Sequence, residues 1–364
     1  METMRIAVDA RPLEERPAGV GRYLEGLISA WLDASPEDSF ALLSPRRVHV
    51  PARLAGRVDV PPSLALPGTI WLQTAAGRAA RRAGADVFFG SLGILPLASP
   101  LPGVATVHDL TPLLFPEWHS RRNRLGFAPL IGPTVRRARR IAAVSEATRR
   151  DLVAAFPEAA GKTVVVHNGV EVETPGTDGE APHGGRPYVL YVGTLEPRKN
   201  VLRLVAAMES IWDRRPDFPD LVLAGGDGWG MAGFAEGVAR SRHAARLTLA
   251  GYLGPLVRAR WLKEARVFAY PSLYEGFGLP PLEAMAQGTP VVGSSASSLP
   301  EVMGDAGLLP DPASVPSIAA ALERAHDDVD FRRHAAAEGP RRARGFTWAA
   351  AAAKMRALFD EALG

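Results

Sequence analysis

What most constrains this chain is a rhythm in which short, unbroken apolar runs alternate with longer helical patterns. In the first half the runs fall at residues 5–8, 40–43, 86–89, 104–107, 141–144 and 163–166. In the second half they fall at 188–192, 221–224, 247–250, 267–270 and 290–292. They are continuous Val, Ile, Leu and Ala rather than alternating apolar and polar, as strands buried on both faces must be. Strands that alternate with helices predict parallel sheets with helices on both sides. Residues 171–187 break the rhythm with Pro175, Gly176, Asp178, Gly179, Pro182, Gly184 and Gly185, and carry no apolar period. The pattern predicts α/β architecture with two doubly wound, Rossmann-like lobes, residues 1–175 and 188–345, joined by a linker at 176–187. Ligands are expected at the carboxyl ends of the strands, in a cleft between the lobes.

A chain of 364 residues exceeds what one core usually supports, and 47% hydrophobic with 22% charged residues excludes a disordered chain. The formal net charge is only +3, so no global field points to nucleic acid as a partner. The absence of cysteine excludes disulfides and thiolate metal sites and fits a cytoplasmic location. The chain enters a strand at once, with no signal peptide. Residues 87–107 form an uncharged stretch long enough to span a bilayer. Gly90, Gly93, Pro96, Pro100, Pro102 and Gly103 instead mark it as strand, loop and strand.

Three motif matches carry little chemistry. Gly228-Trp229-Gly230-Met231-Ala232-Gly233 fits a dinucleotide fingerprint, but the acidic residue expected about twenty positions on is missing between 247 and 255. Gly161-Lys162-Thr163 ends like a phosphate loop but lacks the upstream glycine and precedes a strand. Asp328-Val329-Asp330 lies in an Ala-rich helical stretch, where a solvated face is the simpler account. No His-Glu-x-x-His or similar ligand cluster occurs.

Two segments remain. From Val267 the chain reads as a buried strand, a glycine-rich turn, a helix opened by Pro280 and Pro281, and another strand. The amides of Gly278 and Leu279, with the helix dipole, predict an anion site. Glu275 on the turn and Glu283 in the helix are expected to share one phosphate-sized pocket and to accept hydrogen bonds from hydroxyls. Alternatively, Glu283 merely favours its helix terminus. The second segment, Tyr191 to Asn200, places Gly193 after a strand, then Arg198 and Lys199 at a helix entrance, with Asn200 as its N-cap. Two adjacent cations can equally be solvated surface.

Three blocks together are specific: Gly193-Thr194-Leu195-Glu196-Pro197-Arg198-Lys199-Asn200, Leu223-Ala224-Gly225-Gly226-Asp227-Gly228-Trp229, and Glu275-Gly276-Phe277-Gly278-Leu279-Pro280-Pro281-Leu282-Glu283. They resemble family 4 of the retaining glycosyltransferases, whose E-x7-E motif matches Glu275 and Glu283. The resemblance extends to the Ser297-to-Glu301 block and, in the first lobe, to Gly19–Tyr23, Val107-His108-Asp109, Val144-Ser145-Glu146 and His167–Val170. It implies a GT-B fold, with residues 1–175 as the acceptor-side lobe and residues 188–345 as the nucleotide-sugar-binding lobe, and an acceptor that is a glycan, a lipid-linked sugar or a small molecule.

Residue by residue, the resemblance implies that Arg198 and Lys199 bind the donor diphosphate. Glu283 would hold the ribose, while Glu275 with Gly276, Phe277, Gly278 and Leu279 would hold the transferred sugar. Gly193 and Thr194 would line the donor site, and the Gly19–Gly21 turn would approach the phosphates. His108 would sit beside the anomeric carbon, and the backbone of Tyr252 and Leu253 would meet the base. It further implies transfer with retention that requires neither a metal nor another cofactor, the nucleotide-sugar being a substrate. The donor is GDP-mannose by likeness to mannosyltransferases of surface polysaccharide assembly, with UDP-glucose or UDP-N-acetylglucosamine open. A catalytically silent sugar-binding protein on the same fold is the alternative of another class. Residues 346–364 would form a helix returning to the first lobe, as Trp348, Met355 and Phe359 also suggest. The arginine clusters at 78–82, 121–124 and 136–140, mixed with Trp71, Trp118, Leu125 and Phe127, raise peripheral contact with an anionic membrane. As the diphosphate clamp that the resemblance implies, Lys199 is expected to matter for turnover, with the melting temperature nearly unchanged in Lys199→Ala.

Overall fold

The computed structural model describes residues 3–14, 19–62, 64–119, 121–175, 182–226, 228 and 233–364, without the side chains of 121–123. The chain divides into two compact units, Met1–Gly169 with Phe346–Gly364, and Val170–Gly345. The linker residues 176–181, and Trp229 to Ala232 of the glycine motif, lie outside the described residues.

The first unit contains β1 (Arg5–Asp9), β2 (Ser39–Leu43), β3 (Val87–Gly90), β4 (Gly103–Val107), β5 (Arg140–Ala143) and β6 (Thr163–Val165). All pairings between them are parallel, in the order β2-β1-β3-β4-β5-β6. Successive side chains point to opposite faces. Ile6, Val8, Val87 and Phe89 therefore enter one core, with the Val20–Ala34 helix and the chain's last helix, Trp348–Leu363. Ala7, Phe88, Ala105 and Ile141 enter the other, against Trp71, Leu72, Ile131 and Val135. The uncharged stretch 87–107 is thus β3, a loop and β4. Among the described residues no helix is long and apolar enough to cross a membrane.

The Trp348–Leu363 helix starts at Thr347, whose hydroxyl accepts from the Ala350 amide. Its Arg356 is buried and reaches Asp38 at 3.0 Å and Asp360 at 3.0 Å. Asp38 is further held by the Met4 amide and the Trp31 indole. At Gly169 a Cβ would lie 2.3 Å from the Trp348 nitrogen, so only glycine lets this helix seat.

The second unit holds β7 (Tyr188–Val192), β8 (Asp220–Ala224), β9 (Leu247–Gly251), β10 (Val267–Ala269) and β11 (Val291–Val292). The order is β11-β10-β7-β8-β9, again all parallel. β8 is buried along its length, whereas β9 is half exposed, as an edge strand can be. Both sheets change direction of winding once, between β1 and β3 and between β7 and β10. In open parallel sheets the crevice outside such a switch point receives ligands.

Candidate functional site

The switch point explains why residues more than seventy positions apart meet in the second unit. The chain leaves β7 at Gly193 and turns through Pro197–Lys199 into the Val201–Trp212 helix. It leaves β10 beside β7, runs through Tyr270 to Gly278, and enters the Leu279–Ala286 helix. The Leu273 amide donates to the Arg198 carbonyl at 2.8 Å, joining the two loops.

Within that junction Lys199 Nζ donates to Glu275 Oε1 at 2.7 Å and to the Tyr270 hydroxyl. Arg198 Nη1 donates to Glu275 Oε2 at 3.1 Å, and its Nε lies 2.7 Å from Glu196. Lys199 is 7% exposed and Glu275 6%, so the reading of this pair as solvated surface fails. Neither cation is spare: two carboxylates balance them. Burial alone would raise the Glu275 pKa, but the charges of Lys199 and Arg198 and the Lys199 hydrogen bond bring it down to about 2. Burial, joined by the Arg198 charge, lowers the Lys199 pKa more than Glu275 and Glu196 raise it. Tyr270 is pushed well above 10 by burial and then by the Glu275 charge, and stays a phenol.

The Glu275 backbone is fixed as firmly as its side chain. Its amide donates to Ser297 Oγ at 2.8 Å, and the buried Ser298 hydroxyl reaches the carbonyls of Glu275 and Phe277. Gly278 has φ +108 and a Cβ there would lie 2.6 Å from Leu299 Cδ2, so the bend needs glycine. Phe277 is buried. Pro280 and Pro281 have no N–H and Leu282 donates back to Gly278. The donors this helix start can offer an anion are thus the Gly278 and Leu279 amides.

Several sequence expectations change here. Glu283 is buried in its helix and pairs with Arg258, whose Nε lies at 3.4 Å. Asn200 occupies the N-cap in the left-handed region but does not cap with its side chain. Its amide donates to the Pro271 and Pro312 carbonyls instead, tying down the β10 loop. The space beside Gly193 is taken by protein, since a Cβ would lie 2.8 Å from the Tyr191 hydroxyl. Thr194 is exposed, while Tyr252 is 57% exposed and Leu253 packs on the core.

In the first unit Gly19 is the N-cap of its helix with φ +35, but Gly21 lies buried inside that helix rather than in a turn. His108 follows β4, and its Nε2 donates to the Ser91 carbonyl at 2.8 Å, which fixes the Nε2–H tautomer. Tyr23 meets the ring edge-on at 4.8 Å. Burial lowers the His108 pKa from 6.5 more than Ser91 and Asp109 raise it, so the imidazole is neutral at pH 7.

Sequence reasoning missed Arg258, Tyr270 and Ser298, whose only signals were a polar residue in an apolar helix face and a tyrosine ending a buried strand. It also missed Asp9, a wholly buried carboxylate closing β1 and gripped by Arg11 at 2.8 and 2.6 Å. Among the described residues no three His, Asp or Glu side chains group as metal ligands.

Residues 17–174 match the model of Glycosyltransferase Family 4, and residues 186–328 match that of Glycosyl transferases group 1. The chain is 34% identical over 254 residues to O-antigen chain mannosyltransferase B of Escherichia coli. That match covers 67% of this chain and 66% of the relative, so the chain spans just under two thirds of that relative's length. Among solved structures it is similar to sucrose-phosphate synthase of Thermosynechococcus elongatus, with TM-score 0.77, 20% identity and 99% of both chains covered. It is also similar to HepE of Anabaena, solved with UDP and glucose, with TM-score 0.75, 18% identity and 99% and 100% covered. At those identities the likeness is one of fold, the two-lobed α/β arrangement called GT-B.

Proposed function

Given that this chain belongs to glycosyltransferase family 4, we propose that it moves a hexose from a nucleotide-sugar to a hydroxyl acceptor, with retention and without a metal ion. The observation that carries the reading is the buried junction of Arg198, Lys199 and Glu275 at the switch point of the second sheet. A carboxylate whose pKa lies near 2 cannot act as a proton donor at neutral pH, but it is a strong acceptor for sugar hydroxyls. On donor binding Glu275 would turn to those hydroxyls, and Arg198 and Lys199 to the diphosphate.

The sugar C1–O bond to the diphosphate then breaks while the acceptor oxygen bonds to C1 from the same face. The acceptor proton passes to the departing diphosphate oxygen. Arg198, Lys199 and the Gly278 and Leu279 amides stabilise the charge that develops there, which is the largest usual contribution to such catalysis. Glu283, oriented by Arg258, would hold the ribose hydroxyls, and the neutral His108 would position the sugar without adding charge. Gly19, Gly193, Thr194, Gly276 and Phe277, with the backbone at Tyr252 and Leu253, would complete the donor contacts.

Mannose from GDP-mannose is the donor we favour, because the Escherichia coli relative is a mannosyltransferase. UDP-glucose is the second reading, since the Anabaena structure holds UDP and glucose. Exposed Arg136 and Arg139 support work at an anionic membrane face of the cytoplasm. Equal co-sedimentation with anionic and neutral vesicles would remove that part. For the reaction itself, product made from each donor with excess EDTA is read by proton NMR. An α-linked product from an α-linked donor is expected. An inverted linkage overturns retention, and abolition by EDTA overturns metal independence.

A further inference from the structure

The second unit has a cavity of about 480 Å³ at the end of its sheet opposite the Lys199–Glu275 cluster. Tyr188, Arg266 and Pro290 line it, and these residues begin or precede β7, β10 and β11. The strands are parallel, so the cavity lies at their amino ends and the cluster at their carboxyl ends. The five residues of β7, at about 3.3 Å each, put roughly 15 Å between the two.

The lining carries more positive charge than its surroundings balance. Arg186, Arg266 and Arg332 line the cavity, against one carboxylate among the described residues, Glu264, which Arg260 Nε already holds at 2.8 Å. Carboxylates nearby are spent as well. Asp327 takes both Nη atoms of Arg215, at 2.6 and 3.1 Å, and Asp330 takes Arg333 at 3.0 Å. Asp328 accepts from the Phe331 amide at 2.9 Å and from Arg324 Nε at 3.4 Å. Arg186 reaches Asp220 at 2.9 Å, but that carboxylate also serves Arg246 and His183. Arg266 and Arg332, both half-buried, reach no carboxylate among the described residues.

Both spend donors in one place. The His326 carbonyl accepts from Arg266 Nη2 at 3.0 Å and from Arg332 Nη1, and Arg266 Nε donates to His326 Nδ1 at 3.1 Å, so that ring is neutral. His326 is the next-to-last residue of the Val315–Asp327 helix, and a helix C-terminus carries only about half a negative charge. Two guanidiniums therefore exceed what capping uses. Their mutual repulsion is felt: burial and then the Arg332 charge lower the Arg266 pKa. Arg266 Nη1, with Arg332 Nε and Nη2, takes no hydrogen bond among the described residues. Open guanidinium edges side by side match the oxygens of a phosphate group.

We infer that this cavity is an anion site for a phosphate group, carried either as inorganic phosphate or as a small phosphate ester. Arg266 and Arg332 hold its oxygens, and the exposed Arg186 adds charge. The bound group ties the entry of β10 to the Val329–Ala343 helix. Occupancy therefore stabilises the second unit, as does any ligand that binds only the folded form. This site is independent of the transferase reading above.

The test follows the His326 ring protons by NMR in the full chain, with the signal assigned from His326→Gln. Inorganic phosphate and glucose 1-phosphate are titrated at constant ionic strength, with potassium chloride as the control. Each phosphate is expected to shift the His326 signal saturably, and chloride is not. The His326 pKa should rise with phosphate bound, because the anion offsets the two neighbouring guanidiniums. Phosphate held at Lys199, about 15 Å away by the strand spacing, leaves this signal in place. Arg332→Gln should weaken binding by about ten-fold or more through loss of charged hydrogen bonds. Arg332→Lys, which keeps the charge without the fork, should weaken it less, and both variants retain the Arg266 contact to His326. A lower midpoint for glucose 1-phosphate identifies an ester as the occupant, and any other order identifies inorganic phosphate. No shift with either probe, the same shift with chloride, or Arg332→Gln binding phosphate like wild type overturns the inference.

Discussion

Replacing Lys199 by alanine removes one partner from a buried ion pair, and the cost follows from what is left behind. Glu275 stays buried at 6% exposure with Arg198 at 3.1 Å as its one remaining cation among the described residues, and the Tyr270 hydroxyl loses its ammonium donor. Removing one member of a buried pair costs about 3–5 kcal/mol, and with Arg198 still present the lower end, about 3 kcal/mol, is expected. For a unit of this size each kcal/mol lowers Tm by about 2–4 °C, so the fall is on the order of 10 °C. This reverses the sequence expectation that Lys199 matters only for turnover. Scanning calorimetry of wild type, Lys199→Ala, Glu275→Gln and the double variant reads it directly. The double variant should regain much of the loss, because no buried charge is then unpaired. Transfer, measured well below the variant's Tm, should drop about 100-fold or more through loss of the cation at the leaving group. A Lys199→Ala Tm within about 2 °C of wild type would refute the reasoning, as would a double variant no better than the single.

Three further outcomes follow from other parts of the structure. The Glu275 pKa is depressed, so its stabilisation is complete above the ordinary carboxylate range and disappears as pH falls toward about 2; Tm measured from pH 6 to 3 should fall less steeply in Glu275→Gln. Arg356→Ala leaves the Asp38 carboxylate, among the described residues, with the Met4 amide and the Trp31 indole, and should lower the urea midpoint by the equivalent of about 3 kcal/mol with an unchanged slope. Gly278→Ala places a methyl 2.6 Å from Leu299 at φ +108 and should cost roughly 1–3 kcal/mol together with a loss of kcat, read by denaturation and initial rates.

The sequence by itself determined the strands and the parallel character of the sheets. All eleven apolar runs are strands, with ends shifted by a residue or so; burial on both faces leaves a continuous apolar signal in β3, β4 and β8, and the part-exposed edge strands β6 and β9 keep enough of it to be read. It also determined the membership of Arg198, Lys199, Glu275 and Glu283 in recognisable blocks, since those blocks are local. Only the tertiary structure decided what these residues do to one another. Lys199 and Glu275 are brought together by the pairing of β7 with β10, a long-range event invisible to local pattern, and their burial turns two apparent surface cations into a fixed, balanced cluster. The same holds for Glu283, whose ion pair with Arg258 joins two different helices. Asp109, Thr111 and His119 form one hydrogen-bonded row only because the chain folds back after β4. Pattern in a sequence reports burial, which is a one-dimensional property; partner choice depends on which strands lie side by side.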